Sequence, residues 1–126
     1  MKKAIRTHVP ISHSSGAWLF SLSVGKQIRW LRKNRNLSGK ELGFRVNLSQ
    51  QQISRYERGV NILDVEMLFI LLSELDCSFD LFIQDVAEEM KKNRPAVFTE
   101  CESLLVCPES LKVIHSRFKS SMEDIY

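Results

Sequence analysis

The chain has 126 residues, 44% of them hydrophobic, with three cysteines and a formal charge of +3; that allows one domain of ordinary size with a short extension at each end. An odd cysteine count without a CxxC pair excludes a secreted disulfide framework and a structural zinc site. The absence of a Ser/His/Asp set, a paired-carboxylate pocket and a Gly-rich phosphate loop leaves no reason to expect an enzyme, a metal or a cofactor. Charge is segregated along the chain: residues 24–59 carry nine basic and two acidic side chains, residues 60–92 two basic and eight acidic ones. One cationic and one anionic third describe a side that meets a polyanion and a side that faces elsewhere.

Residues 1–22 read as a tail, with Lys2, Lys3 and Arg6 and no acid, and with His8 and His13 solvated. Their one apolar run, Ala17–Leu22, is interrupted by Ser21, too short and polar for a signal peptide or a membrane span, so a cytoplasmic protein is expected. A domain is expected over residues 23–92. Val24, Ile28 and Leu31 fall at helical spacing, with Lys26, Arg29 and Lys33 outward, and this first helix should end near Asn34. Ser38 followed by Glu41 forms a capping box, starting a second helix that runs to about Val46 before a break at Asn47-Leu48. Ser49 with Gln52 repeats the device, so a third helix should run to about Arg58 and stop at Gly59. Two capped helices separated by so short a break specify a helix-turn-helix, and two boxes eleven residues apart are far more specific than one.

A fourth helix should start at the N-cap Asp64, with Leu63 stapling onto Leu68. Its body, Met67–Leu72, is apolar nearly all round, so something must cover part of it. Ser78 should cap a fifth helix from Phe79 to about Lys92, with Leu81, Phe82 and Val86 inward and Asp85, Glu88 and Glu89 outward; Cys77 reads as a core thiol. Pro95 ends that organisation. In the C-terminal extension, 93–126, Leu104-Leu105-Val106 suggests a short extended piece. Beyond Pro108 a last helix could carry Leu111, Ile114, Phe118 and Met122 on one side. The expected fold class is all-α.

Five helices of this kind resemble the phage-repressor-like (Cro/C1, XRE, lambda-repressor-like) helix-turn-helix family over about residues 24–83. The matching residues are Ile28-Arg29 and Arg32, Leu37-Ser38, Glu41-Leu42, Gln50, Ile53, Glu57 and Gly59, then Leu68, Leu71 and Leu75. The run Ser49-Gln50-Gln51-Gln52-Ile53-Ser54-Arg55-Tyr56-Glu57 is similar to the signature of MrpJ-type regulators encoded with fimbrial operons, which control fimbrial genes and repress flagellar ones. Two glycines depart from the family pattern. Gly39 stands where a phosphate-bracing glutamine is frequent, and Gly43 where an alanine is usual, each lowering helix propensity by about 1 kcal/mol.

The resemblance implies a sequence-specific regulator on double-stranded DNA, with the third helix in the major groove. Glutamine can pair with adenine N6 and N7, and arginine with guanine O6 and N7, so Gln50, Gln51 and Arg55 are the expected base readers. Ser49, Ser54, Arg58 and Asn61, with Lys40 and Arg45 as weaker candidates, are expected on the DNA backbone. Arg32 and Glu57 stand where the family forms an ion pair that orients helix 1 on helix 3. Specificity normally needs a homodimer on an inverted repeat; Phe69 and Ile70, or Ile114 and Phe118 of the tail, are its candidate interface. An antitoxin or phage-type repressor whose C-terminal segment grips a protein partner is the alternative, and any small-molecule effector is unknown.

Overall fold

The computed structural model describes residues 16–106, 116–117 and 119–123, and among these it is helical without a strand. Side-chain oxygens set the helix starts. Ser38 caps α2 (Gly39–Val46), Ser49 caps α3 (Gln50–Glu57), Asp64 caps α4 (Val65–Glu74) and Ser78 caps α5 (Phe79–Asn93), each accepting from the backbone N–H three residues on. Both expected capping boxes are formed: Ser38 with Glu41 and Ser49 with Gln52 each exchange two hydrogen bonds of 2.9–3.1 Å. Asn47, at φ 60°, takes the left-handed conformation that turns α2 into α3.

Three expectations are corrected. The first helix, α1 (Gly16–Asn34), begins about two turns before Val24. Its early turns look polar in sequence because Ser21 and Ser23 interrupt them. Ser23 is nevertheless fully buried, its hydroxyl donating to the Leu19 carbonyl at 3.2 Å, while Phe20 packs against the core. Leu104 and Leu105 are not extended but close α6 (Pro95–Leu105), with only Val106 in extended backbone. Pro95, expected to end the fifth helix, stands just past the end of α5 and also begins α6, because its fixed φ and missing N–H suit the first helical turn. Within α5, Leu81 lies outward and half exposed while Glu89 is largely covered. The inward stripe is Phe82, Val86, Ala87 and Met90, and Leu81 sits about 100° away from it.

The core is continuous across the helices. Ile28, Leu42, Ile53, Leu71, Leu75, Phe82, Val86 and Met90 have almost no exposed surface, and Cys101 of α6 joins the same cluster. Burying each large side chain of this set contributes about 1.5–3 kcal/mol over leaving it in water. α2 packs on α3 and α4, α1 on α3, α5 and α6, and α6 chiefly on α5. The expected boundary after residue 22 therefore falls inside α1, and the one after residue 92 inside α5. Gly43 belongs to the turn: a Cβ there would lie 2.5 Å from the Leu48 carbonyl oxygen, so alanine does not fit without a shift. Gly59 ends α3 at φ +72° against the backbone of Leu22. Cys77 is half-buried and packs at the core's edge. No helix among the described residues is long and apolar enough to cross a membrane.

The face of α4 expected to need cover stays largely open among the described residues. Val65, Phe69 and Ile70 are exposed, and the Phe69 ring lies against that of Phe79, at 5.4 Å between centroids. Residues 116–117 and 119–123 are helical. Leu111, Ile114 and Phe118 lie outside the described residues, as do Cys107 and all three histidines.

Candidate nucleic-acid interface

The interface is built where α2 and α3 begin. Gly39 at the start of α2 looks onto Gln50 at the start of α3, whose Cγ would be 3.7 Å from an added Cβ. The first turn of each helix offers backbone N–H groups and the positive end of a helix dipole to an anion. Gln52, as its spacing suggests, spends its carbonyl on the Ser49 backbone N–H at 2.9 Å. Gln50 and Gln51 keep their amides exposed. Together with Ser54, Arg55 and Arg58 they line one open depression of about 390 Å³ along the outer side of α3. Ile53 and Glu57, on the opposite stripe, are buried, and Tyr56 is half-buried.

Glu57 would cancel much of the local positive charge if it were free. It is held inward instead. Arg32 of α1 donates from Nε to one carboxylate oxygen at 2.6 Å and from a terminal nitrogen to the other at 2.9 Å, and its remaining nitrogen reaches the Leu37 carbonyl at 2.8 Å. Both side chains are nearly buried. The bonds it donates to Glu57 raise the Arg32 pKa further, against the opposing effect of burial. Arg55 and Arg58 form no ion pair with any described residue, so the depression presents amide and guanidinium tips and no carboxylate. Such tips match the donor and acceptor patterns of base edges and phosphates.

The other expected backbone contacts are scattered. Ser49 is engaged as a cap, and Asn61 is half-buried just past Arg58 in the α3–α4 loop, its N–H directed at the Arg55 carbonyl. Lys40 and Arg45 do not line the α3 depression. They border a separate one with Glu41 and Phe44, and Arg45 approaches Glu74 at 3.9 Å. Hydrogen bonds from the Ser38 backbone and side chain lower the Glu41 pKa. Sequence reasoning passed over Phe44, although helical spacing already places it opposite Leu42 and Val46. It also passed over Arg94, whose guanidinium gathers Glu89 at 2.7 Å and Ser23 at 3.1 Å.

The comparisons agree with this geometry. Residues 28–82 match the helix-turn-helix family model HTH_3. An HTH-type transcriptional regulator of Rickettsia conorii is 32% identical over 72 residues, which is 57% of this chain and 57% of the relative. One of Rickettsia prowazekii is 31% identical over 72 residues, covering 57% of this chain and 55% of the relative. The chain thus spans just over half the length of those two curated relatives. Among solved structures, the clp gene regulator ClgR of Corynebacterium glutamicum superposes with a TM-score of 0.57 at 21% identity, over 68% of this chain and 89% of that one. A restriction–modification controller protein superposes with a TM-score of 0.55 at 23% identity, over 59% of this chain and 94% of that one. At those identities the superpositions speak for the fold. Family match and geometry fall on the same helices, and residues 28–82 have the fold of a Cro/C1-type helix-turn-helix.

Proposed function

We propose that this chain binds double-stranded DNA sequence-specifically and regulates transcription, with α3 in the major groove. The observation that carries the reading is the convergence of Gln50, Gln51, Ser54, Arg55 and Arg58 on one carboxylate-free depression. Gln50, Gln51 and Arg55 read bases; Ser49, Ser54, Arg58 and Asn61 contact the backbone, and Lys40 reaches a phosphate from the start of α2. Arg45, turned toward Glu74, is the weakest of the set. Arg32 and Glu57 orient α3 without touching DNA.

A single α3 spans only a few base pairs, so the working unit is a homodimer on an inverted repeat, acting in the cytoplasm on nucleoid DNA. Exposed Phe69 and Ile70 support the α4 face as its interface, with Ile114 and Phe118 of the tail as the other candidates. Fimbrial and motility genes are the proposed targets, on the strength of the α3 signature alone.

The test is a gel shift on the gene's own upstream region against random duplex. Gln51→Ala or Arg55→Ala should cost about 1–3 kcal/mol at the specific site and relax sequence preference. Arg58→Ala should weaken binding to every sequence and reduce the salt slope by about one unit. A wild-type protein that prefers its upstream region no more than random duplex at physiological salt would overturn the reading.

A further inference from the structure

We propose that the open face formed by α4 and the start of α5 is covered by the tail, residues 111–122, of a second copy of this chain, each copy seating the other's tail. The proposal rests on the homodimer reading above and joins its two candidate interfaces into one contact. Val65, Phe69 and Ile70 of α4 are exposed, and Phe79, which lies against Phe69, is itself 41% exposed. Glu66 stands one turn before Phe69 and Ile70 on the same outward side of α4, and Asp80 adjoins Phe79; both acids are exposed. An apolar patch rimmed by polar groups marks an interaction site.

The rim has one sign. From Gly59 to Met90 the chain has no lysine or arginine. Glu66 and Asp80 form no ion pair among the described residues, and Asp80 accepts only from the Gln84 amide at 3.1 Å. Cations from other elements meet the C-terminal end of α4 instead: Arg45 approaches Glu74 at 3.9 Å, and Arg35 approaches Asp76 at 3.7 Å. Lys91 and Lys92 lie about 18 Å further along α5 than Phe79. Two copies meeting α4 to α4 would therefore set acid against acid, which argues for a cationic occupant.

The tail has the complementary pattern. Leu111, Ile114, Phe118 and Met122 recur at helical spacing, and residues 116–117 and 119–123 are helical. From Ser110 to Met122 there are Lys112, Arg117 and Lys119 and no acid; Glu109, Glu123 and Asp124 fall beyond the ends of the stripe. At about 100° per residue, Lys112 and Lys119 border the apolar stripe on one edge and Arg117 on the other. An apolar stripe flanked by cations suits an apolar face rimmed by acids, as an amphipathic helix suits its groove. Both halves are open in the single chain: the α4 face is exposed, and Arg117 and Lys119 are exposed and pair with no acid among the described residues. A contact that one chain does not make on itself is completed between two, and a two-fold dimer makes it twice.

Sedimentation equilibrium of the full chain tests this with two variants, a charge-reversed face (Glu66→Lys with Asp80→Lys) and a charge-reversed tail (Lys112→Glu, Arg117→Glu and Lys119→Glu). The wild type should dimerise. Each variant alone should self-associate at least about tenfold more weakly, because both of its contacts then join like charges. An equimolar mixture of the two should recover dimers, since one contact is reversed on both sides and the other is wild type on both sides. Thermal unfolding checks that the variants are folded; if the face variant is not, Phe118→Asp, which leaves the face untouched, should weaken self-association by a similar factor. Dimers unaffected by the tail substitutions would overturn the proposal. So would a mixture of folded variants without recovery, the outcome if each tail seats on its own chain. Tighter pairing of the face variant with wild type than with the tail variant would place α4 against α4 and overturn it too. A wild type that stays monomeric would overturn the homodimer reading itself, whereas a dimer whose variants fail to complement would overturn the tail contact alone.

Discussion

Two arginine–glutamate pairs tie α1 to its neighbours, and they do different work. Arg32–Glu57 grips the C-terminal half of α1 to the end of α3, with bidentate geometry and both side chains almost out of solvent. Arg94–Glu89 grips the middle of α1 to α5 and the start of α6, through Ser23 at 3.1 Å and Lys26 at 3.6 Å, with its charges about one-seventh exposed. The first pair removes a carboxylate from the outer side of α3, the side proposed to face DNA, while fixing the angle of that helix. The second satisfies a buried serine and a helix junction, and none of its residues lines the α3 depression. Similar chemistry holds the proposed reading helix at one place and the enlarged core at the other.

The largest expected effect comes from breaking the first pair. Arg32→Ala leaves Glu57 buried without its partner, and loss of one member of such a pair costs about 3–5 kcal/mol. Denaturant unfolding should show that loss. Gel shifts on the fraction still folded should show weaker preference among sequences, because the constraint on α3 is gone. Unchanged stability would mean that the pair is solvated and contributes little.

Arg94→Ala should cost less, about 1–3 kcal/mol, since partly covered hydrogen bonds to charged groups are lost while the surrounding apolar contacts persist. Binding per folded molecule should stay at the wild-type level. A fall in DNA affinity comparable to that of Arg32→Ala would erase the distinction between the two pairs and make α6 part of the reading apparatus.

The first pair and its surroundings were legible in sequence for a physical reason. Capping boxes and helix breaks are local, and the Arg32–Glu57 pair was implied by the family resemblance, which carries the packing of α1 on α3 with it. The outward stripe of α3 followed from period alone: Gln50, Gln51, Ser54 and Arg55 outward, Ile53 inward. The second pair depends on contacts between residues about seventy positions apart, Ser23 with Arg94, and on serines that look like loop residues until α6 covers them. Pro95 misled for a related reason, because a proline that ends one helix can equally begin the next. Leu81 and Phe44 could have been placed by careful helical spacing; what they meet cannot be read that way.

The smallest effect is a pH dependence specific to the second pair. Burial works to raise the Glu89 pKa, but the nearby Ser23 hydroxyl, hydrogen bonds from Arg94 and Asn93 and the charge of Arg94 outweigh it and hold the carboxyl below its ordinary value. A carboxyl depressed in the folded state binds its proton more readily when unfolded, so it stabilises the fold fully above the unfolded pKa and loses that contribution as pH falls through the folded one. Glu89→Gln keeps the shape and some of the hydrogen bonds but has no proton to take up. It should be about 1 kcal/mol less stable than wild type at neutral pH and should converge with it as the solution is acidified. Thermal unfolding across acidic pH measures this directly, and parallel curves for the two proteins would show that Glu89 is effectively solvated and that Arg94 is held by packing alone.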